Sequence, residues 1–523
     1  MKDFSNGLLA GTDALGRTLP HDGECPDRRE NRQVGLFYFL WCGEHGRHAP
    51  LDISKIVAAH PDAGYHPELW GEIGQMHHWG EPFYGYYYSD DEWVVRKHMK
   101  LLMEADVDFI FFDTTNAVIY EKNAKIVLSV LQEYHDQGFK IPKVMFYTNT
   151  QSGKTVQKIY EAIYKPKFCP DTWFYYDGKP LIIAIEEECS PECREFFNIQ
   201  KSQWPNEPDK IGGWPWMDFT RPQRVFKNEK GEDQVINVSV AQHPQIRFGD
   251  SVLYGETTNR GRAFHNGEND KSEGAILHGY NFAEQFDRAI ETDPPVVLVT
   301  GWNEWIAGRW QGIPERPIMF VDCCNCEYSR DLEMMRGGYF DNYFMQFISY
   351  VRKYKGFAPI TAHAEGEVAV YDLPDDGAFA RDNEGYGTRY VNRTGRNAIV
   401  QIDAVRKDGK ISFTIKAKDA LQGKDEGDFM ILFIKTEKGT FLASGDKLYS
   451  LSDGFERTPA SDIVRKTGEK VVTYEIPLDT LGAEKDILFK AADSTEKYTS
   501  VEDFYDKGDV APLGRPCFVY RMK

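Results

Sequence analysis

The residues best suited to chemistry are Trp302-Asn303-Glu304-Trp305, which follow the apolar run Val296-Val-Leu-Val299. Such a run reads as a strand buried on both faces, the kind found in parallel sheets. An acid flanked by an amide and two indoles, at the C-terminal tip of a buried strand, sits where a (β/α)8 barrel carries its catalytic groups. Indole faces stack on sugar rings, and a partly desolvated carboxylate can serve as acid, base or nucleophile on a glycosidic bond. The structural alternative is that Glu304 pairs with an arginine of the barrel.

Other strand tips are polar and aromatic too. One run ends in Tyr38-Phe-Leu-Trp41, with Glu44 and His45 beyond it. Another ends on Asp113, a charge that belongs at a rim and not inside an apolar layer, so Asp113 is the candidate partner of Glu304. The pair Gln242-His243 closes a third run. The loop Met76-His-His-Trp-Gly-Glu81 suits one wall of a sugar cleft, through His78, Trp79 and Glu81; adjacent histidines point apart in extended chain and chelate metals poorly. Glu256 lies in the polar loop 254–262, and Arg309 and Asp322 add a cation and an acid near the same rim. On this reading Trp41, Trp79, Trp302 and Trp305 stack sugar rings, while Gln242, His243, Asn303 and Arg309 fix hydroxyls. No metal or cofactor is expected: Cys323-Cys-Asn-Cys326 lacks the second, properly spaced pair that a zinc site needs.

These residues need a scaffold. From residue 34 to 358 short apolar runs alternate with amphipathic stretches: Val34–Trp41, Val107–Asp113, Lys143–Asn149, Leu181–Glu186, Ile211–Trp216 and Ile236–His243 as strands, then the strand ending at Glu304. Helices are expected over 124–137 and 337–354, and Ser89-Asp-Asp-Glu92 reads as a capping box. Seven or eight such units predict one α/β barrel of the (β/α)8 kind; no Gly-x-Gly-x-x-Gly turn or P-loop supports an open sheet. Residues 1–33 form an N-terminal extension. Residues 359–523 alternate short strands with Gly-, Asp- and Lys-rich turns, which predicts an all-β sandwich serving as an accessory module.

A net charge of -19 argues against a nucleic-acid partner, and no apolar run approaches the ~18 residues of a membrane span. Aromatic residues make up 14% of the chain, enough to line a cleft with rings. A carbohydrate is therefore the expected partner; oligomeric state stays open. Met1-Lys-Asp-Phe-Ser-Asn-Gly7 has no continuous apolar stretch, so no secretory signal is read there. Cytoplasmic placement, and periplasmic or secreted placement after trimming, both stay open.

The run Trp302-Asn-Glu-Trp305 with Gly308 resembles the Asn-Glu-Trp-His-Glu-Gly signature of glycoside hydrolase family 99 and its relatives around families 71 and 99. Phe37-Tyr-Phe39, Phe109–Asp113, Gly178–Ile182 and Gly212–Trp216 agree with it, so the resemblance covers residues 30–358. It implies a barrel acting on α-linked glycans. It also implies that Glu304 is base to a sugar 2-hydroxyl and that the general acid stands three residues later. That residue is Ala307 here. Either another acid (Asp113, Glu256 or Asp322) substitutes, or the chemistry differs, or the protein binds glycan without cleaving it. Phe429-Met-Ile-Leu-Phe433 is faintly similar to family 9-type carbohydrate-binding modules.

Overall fold

The computed structural model describes residues 1–4, 8–21, 23–47, 49–245, 247–377, 380–424 and 426–523. Residues 5–7 of the N-terminal segment read above lie outside that set. The central sheet contains eight parallel strands: β1 (Gln33–Tyr38), β2 (Phe109–Thr114), β3 (Lys143–Thr148), β4 (Lys179–Ala184), β5 (Asn198–Gln203), β6 (Gly213–Pro215), β7 (Asp233–Ser239) and β8 (Val296–Thr300). Their order is β6-β5-β4-β3-β2-β1-β8-β7. The sheet nearly closes on itself. Across the remaining gap, Asn237 accepts from Asp218 N (3.1 Å), and Thr300 Oγ1 donates to Trp216 O (3.0 Å).

Alternation along each strand divides two cores. Phe37, Phe109, Phe111, Met145, Tyr147, Leu181, Ile183, Val296 and Leu298 fill the interior. Leu36, Ile110, Phe112, Val144, Phe146, Ile182, Val297 and Val299 pack outward against the helices. Burial on both sides is why these strands read as near-continuous apolar runs. Gly35 stands beside Phe109 in the β1–β2 register, where an added Cβ would come within 2.2 Å of the ring. Gly35→Ala is therefore expected to destabilise the protein by about 1–3 kcal/mol through overpacking; a denaturation midpoint equal to wild type would refute this.

Regular (β/α)8 alternation is not met among the described residues. Helices Glu92–Glu104, Glu121–Asp136, Ser152–Ile159, Pro191–Phe196, Tyr280–Thr292 and Asn342–Lys355 follow strands β1, β2, β3, β4, β7 and β8. The β5–β6 connection has no helix, and the β6–β7 connection runs through an antiparallel strand, Val225–Lys227, paired to β7. Pro205, Pro208 and the Asn228–Gly231 turn keep both connections short and irregular. The capping box is also corrected. Asp91 occupies the N-cap position of Glu92–Glu104 without a side-chain cap, and Ser89 Oγ instead accepts from Cys42 N at 3.1 Å.

Among the described residues the C-terminal part forms three antiparallel-rich sheets, the smallest being the hairpin Arg381–Gly385/Thr388–Asn392. Five strands order as Val368–Asp372, Ile399–Lys407, Lys410–Ala417, Val471–Pro477 and Val464–Thr467; the larger sheet is built round Asp428–Thr436 and Asp486–Ser494. Leu9–Ala10, at the other end of the chain, pairs with Cys517–Met522 in the larger sheet. Buried polar links tie the C-terminal residues to the barrel. Arg381 donates to Asp91 Oδ2 and Tyr84 O (both 2.7 Å), and Asp341 accepts from Tyr505 Oη (2.8 Å) and Arg515 Nε (2.6 Å). No helix among the described residues is long and apolar enough to cross a membrane.

Candidate active site

A cleft of about 640 Å³ opens over the C-terminal ends of the parallel strands. Asp113, near the C-terminal end of β2, and Trp41, Trp204, Trp216, His243 and Glu304, beyond β1, β5, β6, β7 and β8, line its wall, with Trp310 and Asp322. This strand-end placement is how one barrel brings distant residues together.

Glu304 lies four residues past the end of β8, in a loop fixed from both sides. Asn303 bridges to β1, accepting from Phe39 N (2.9 Å) and donating to Phe39 O (3.2 Å). Trp305 Nε1 donates to Glu333 Oε2 at 2.6 Å, and Asp331 accepts from Glu304 N. Residues 330–333 lie along residues 301–305, with Leu332 N on Gly301 O (3.2 Å) and Glu333 N on Trp302 O (3.1 Å). From the same segment comes Arg330, whose Nη2 donates to Glu304 Oε2 (3.3 Å) and Asp322 Oδ1 (2.8 Å), while Nη1 donates to His243 Nδ1 (3.3 Å).

One buried guanidinium thus faces several acids. Burial, reinforced by the charge of Asp322, holds the Glu304 carboxyl well above the usual carboxylate range; Arg330 only partly offsets this. Burial also pushes Asp113 up to about 6 and Asp331 up to about 7. His243 is pushed down to about 3 by burial and by Arg330, so its imidazole is neutral near pH 7. Because Nδ1 accepts from Arg330, Nε2 carries the proton and faces Asp322 Oδ1 at 3.8 Å. The cleft therefore gathers carboxyls that differ in burial and in their contact with Arg330, and such differences are what separate an acid from a base.

No family model matches the chain, and no curated protein matches it. Two solved structures are similar to it: the GH99 endo-alpha-mannosidase from Bacteroides thetaiotaomicron, and the same enzyme in complex with bis-tris-propane. Each is 14% identical, and the alignment covers 62% of this chain and 97% of the other, with TM-scores of 0.36 and 0.34.

Of the candidates read from sequence, Glu304, Asp113, Trp41, His243 and Asp322 come together on the cleft wall. The others lie off it. Tyr38 falls on the outward parity of β1, and its hydroxyl bonds His98 Nδ1 at 2.9 Å. Trp302 is buried against His98 and Phe344. Trp79 and Trp305 are both buried and stack on each other at 4.8 Å, which leaves neither face for a sugar. Asn303 is taken up by the bonds to Phe39. His78 packs on Tyr86, and Glu81 pairs with Arg336 at 3.3 Å. Gln242 is buried, donating to Asp218 O (2.6 Å) and accepting from Arg260 (3.0 Å). Glu256 accepts from Thr257 N and Thr258 N, and Arg309 is buried with its backbone N–H on Gln75 O.

Sequence reading missed Trp204, Trp310 and Arg330, and took Trp216 only as part of a strand. Trp204 packs edge-on against Trp216 at 4.9 Å. Trp310 is 48% exposed on the hairpin Trp310–Ile313/Arg316–Met319, with a ring free for contact. For a glycan seated in this cleft, Trp310→Ala is expected to weaken binding about tenfold, the loss of one stacking face. Titration of tryptophan fluorescence with a bound oligosaccharide checks it, and unchanged affinity would remove Trp310 from the binding surface.

Proposed function

We propose that the protein is a glycoside hydrolase acting on a poly- or oligosaccharide, with Glu304 as its central catalytic carboxyl and a second cleft carboxylate as partner. One observation carries this reading. Glu304, Asp113 and Asp322 share a single cleft with four tryptophans, and Arg330 links two of the three acids. Paired carboxyls in differing environments provide the acid and the base or nucleophile for glycosidic cleavage, and indoles provide platforms for sugar rings. The motif resemblance adds α-linked glycans as the substrate class. We take residues 34–358 as the catalytic unit and residues 359–523 as a module that packs against it; the Arg381–Asp91 and Arg515–Asp341 pairs support that role.

A second reading is a glycan-binding protein without catalysis. Ala307 favours it, because its methyl group stands on the cleft wall where the family signature has an acid. Incubation of the wild-type protein with plant, fungal and host glycans, read by product release and by tryptophan fluorescence, separates the two. New reducing ends establish the hydrolase. Saturable fluorescence change without product would overturn it in favour of the binder.

A further inference from the structure

Family resemblance leaves the partner of Glu304 unassigned, since Ala307 carries no carboxyl. Three candidate acids were read from sequence, and geometry ranks them. Glu256 is off the cleft wall, its carboxylate engaged by two backbone N–H groups of its own loop. Asp113 is on the wall, but one oxygen accepts from both Thr115 N (2.9 Å) and Thr115 Oγ1 (2.7 Å), a local turn that orients it towards its own loop. Asp322 differs in kind. It shares one nitrogen, Arg330 Nη2, with Glu304. Two oxygens held at 3.3 and 2.8 Å from one atom are at most about 6 Å apart, under the roughly 6.5–9.5 Å between carboxyls that leaves room for a water. Asp322 also keeps a third of its side chain open to the cleft. The neutral His243 on its other side adds no charge to the pair.

We propose that Asp322 is the second carboxylate of the site and acts as nucleophile, with Glu304 as proton donor; this rests on the hydrolase reading above. In the first step an Asp322 oxygen bonds to the anomeric carbon while the bond to the leaving oxygen breaks, and that oxygen takes the Glu304 proton. In the second step water attacks the anomeric carbon, Glu304 takes a proton from the water, and the ester bond breaks to free Asp322. The sugar keeps its anomeric configuration and the enzyme returns to its starting state. Arg330 is a positioning residue. Its single nitrogen sets the spacing of the pair.

The test uses the full chain with 2,4-dinitrophenyl glycosides of the common hexoses and their 2-deoxy-2-fluoro analogues. The expected result is a one-to-one adduct in the fluoro-sugar-treated wild type, mapped by peptide mass spectrometry to Asp322. Asp322→Ala should lose about 10³-fold or more of its turnover and regain activity with azide, yielding a glycosyl azide. Asp322→Asn, which keeps the acceptor for Arg330, guards against a folding defect and should be equally inactive with an unchanged melting curve. An adduct on Asp113 or Glu304, azide product from Asp113→Ala instead, or Asp322→Asn turning over at the wild-type rate would each overturn the assignment while leaving the hydrolase reading intact. Wild type releasing no dinitrophenol, and no product from any glycan, would sink both together.

Discussion

Glu304→Gln is expected to lose about 10³-fold or more in kcat/KM on any glycan that the wild type cleaves, with little change in affinity. Glutamine fills the same volume, and its carbonyl can still accept from Arg330 Nη2, which holds Glu304 Oε2 at 3.3 Å. What disappears is the transferable proton. The same substitution has a stability consequence of opposite sense. Glu304 is buried beside Asp322, Asp331 and Asp113, and its carboxyl lies well above the usual range for that reason. The native state then binds a proton that the unfolded chain releases near pH 4.5, so this group's contribution to stability falls as pH rises from there towards the folded value. Glutamine carries no such dependence. The variant should therefore match wild type near pH 4 and become progressively more stable than it towards pH 8. Denaturant midpoints across that range read the difference directly. A variant that keeps wild-type turnover would remove Glu304 from the chemistry, and a stability difference independent of pH would show that its carboxyl is not held protonated.

How far the sequence exposes this site depends on which interactions are local. Strands β1, β2, β3, β4 and β8 are legible because both of their faces are buried, which concentrates Val, Ile, Leu and Phe into short runs. Strand β5, Asn-Ile-Gln-Lys-Ser-Gln203, carries no such run, because only Ser202 and Gln203 are fully buried. Trp204 is lost with it, since a residue is placed on a rim only after its strand has been found. Parity explains Tyr38. Phe37 and Phe39 point into the barrel, so the residue between them must face the helix that carries His98. The tryptophans beside Glu304 mislead for a longer-range reason. In sequence, Trp302 and Trp305 resemble sugar platforms, but Trp305 donates to a carboxylate twenty-eight residues downstream and Trp302 packs on the helices that follow the neighbouring strands β1 and β8. Nothing local announces Arg330. Its partners, Glu304, Asp322 and His243, come from three separate segments, and only folding makes it the hub of the cleft.

The same segment supplies the residue whose loss should damage the fold most. Glu333 is fully buried and bonded on both oxygens: His98 Nε2–H donates to Oε1 (2.8 Å), and Tyr87 Oη–H (2.7 Å) and Trp305 Nε1–H (2.6 Å) donate to Oε2. Tyr38 extends the chain by donating to His98 Nδ1. Glu333→Ala strips the acceptor from three buried donors at once and leaves a hole between β1, the helix Glu92–Glu104 and the Glu304 loop. Unsatisfied buried donors and the cavity together imply a cost of about 3–5 kcal/mol. Glu333→Gln retains one carbonyl acceptor and should cost about 1–2 kcal/mol. Urea unfolding followed by tryptophan fluorescence checks both, because Trp305 stacks on Trp79 and should report loosening of the loop. An alanine variant within 1 kcal/mol of wild type would mean that packing alone, without this acceptor, holds the loop. The energetic reason to expect otherwise is that Trp305 adjoins Glu304: the bond that keeps the indole buried also fixes where the carboxyl emerges into the cleft. Stability and the proposed catalysis therefore draw on one network, and weakening Glu333 should blur the Glu304–Asp322 spacing before it unfolds the barrel.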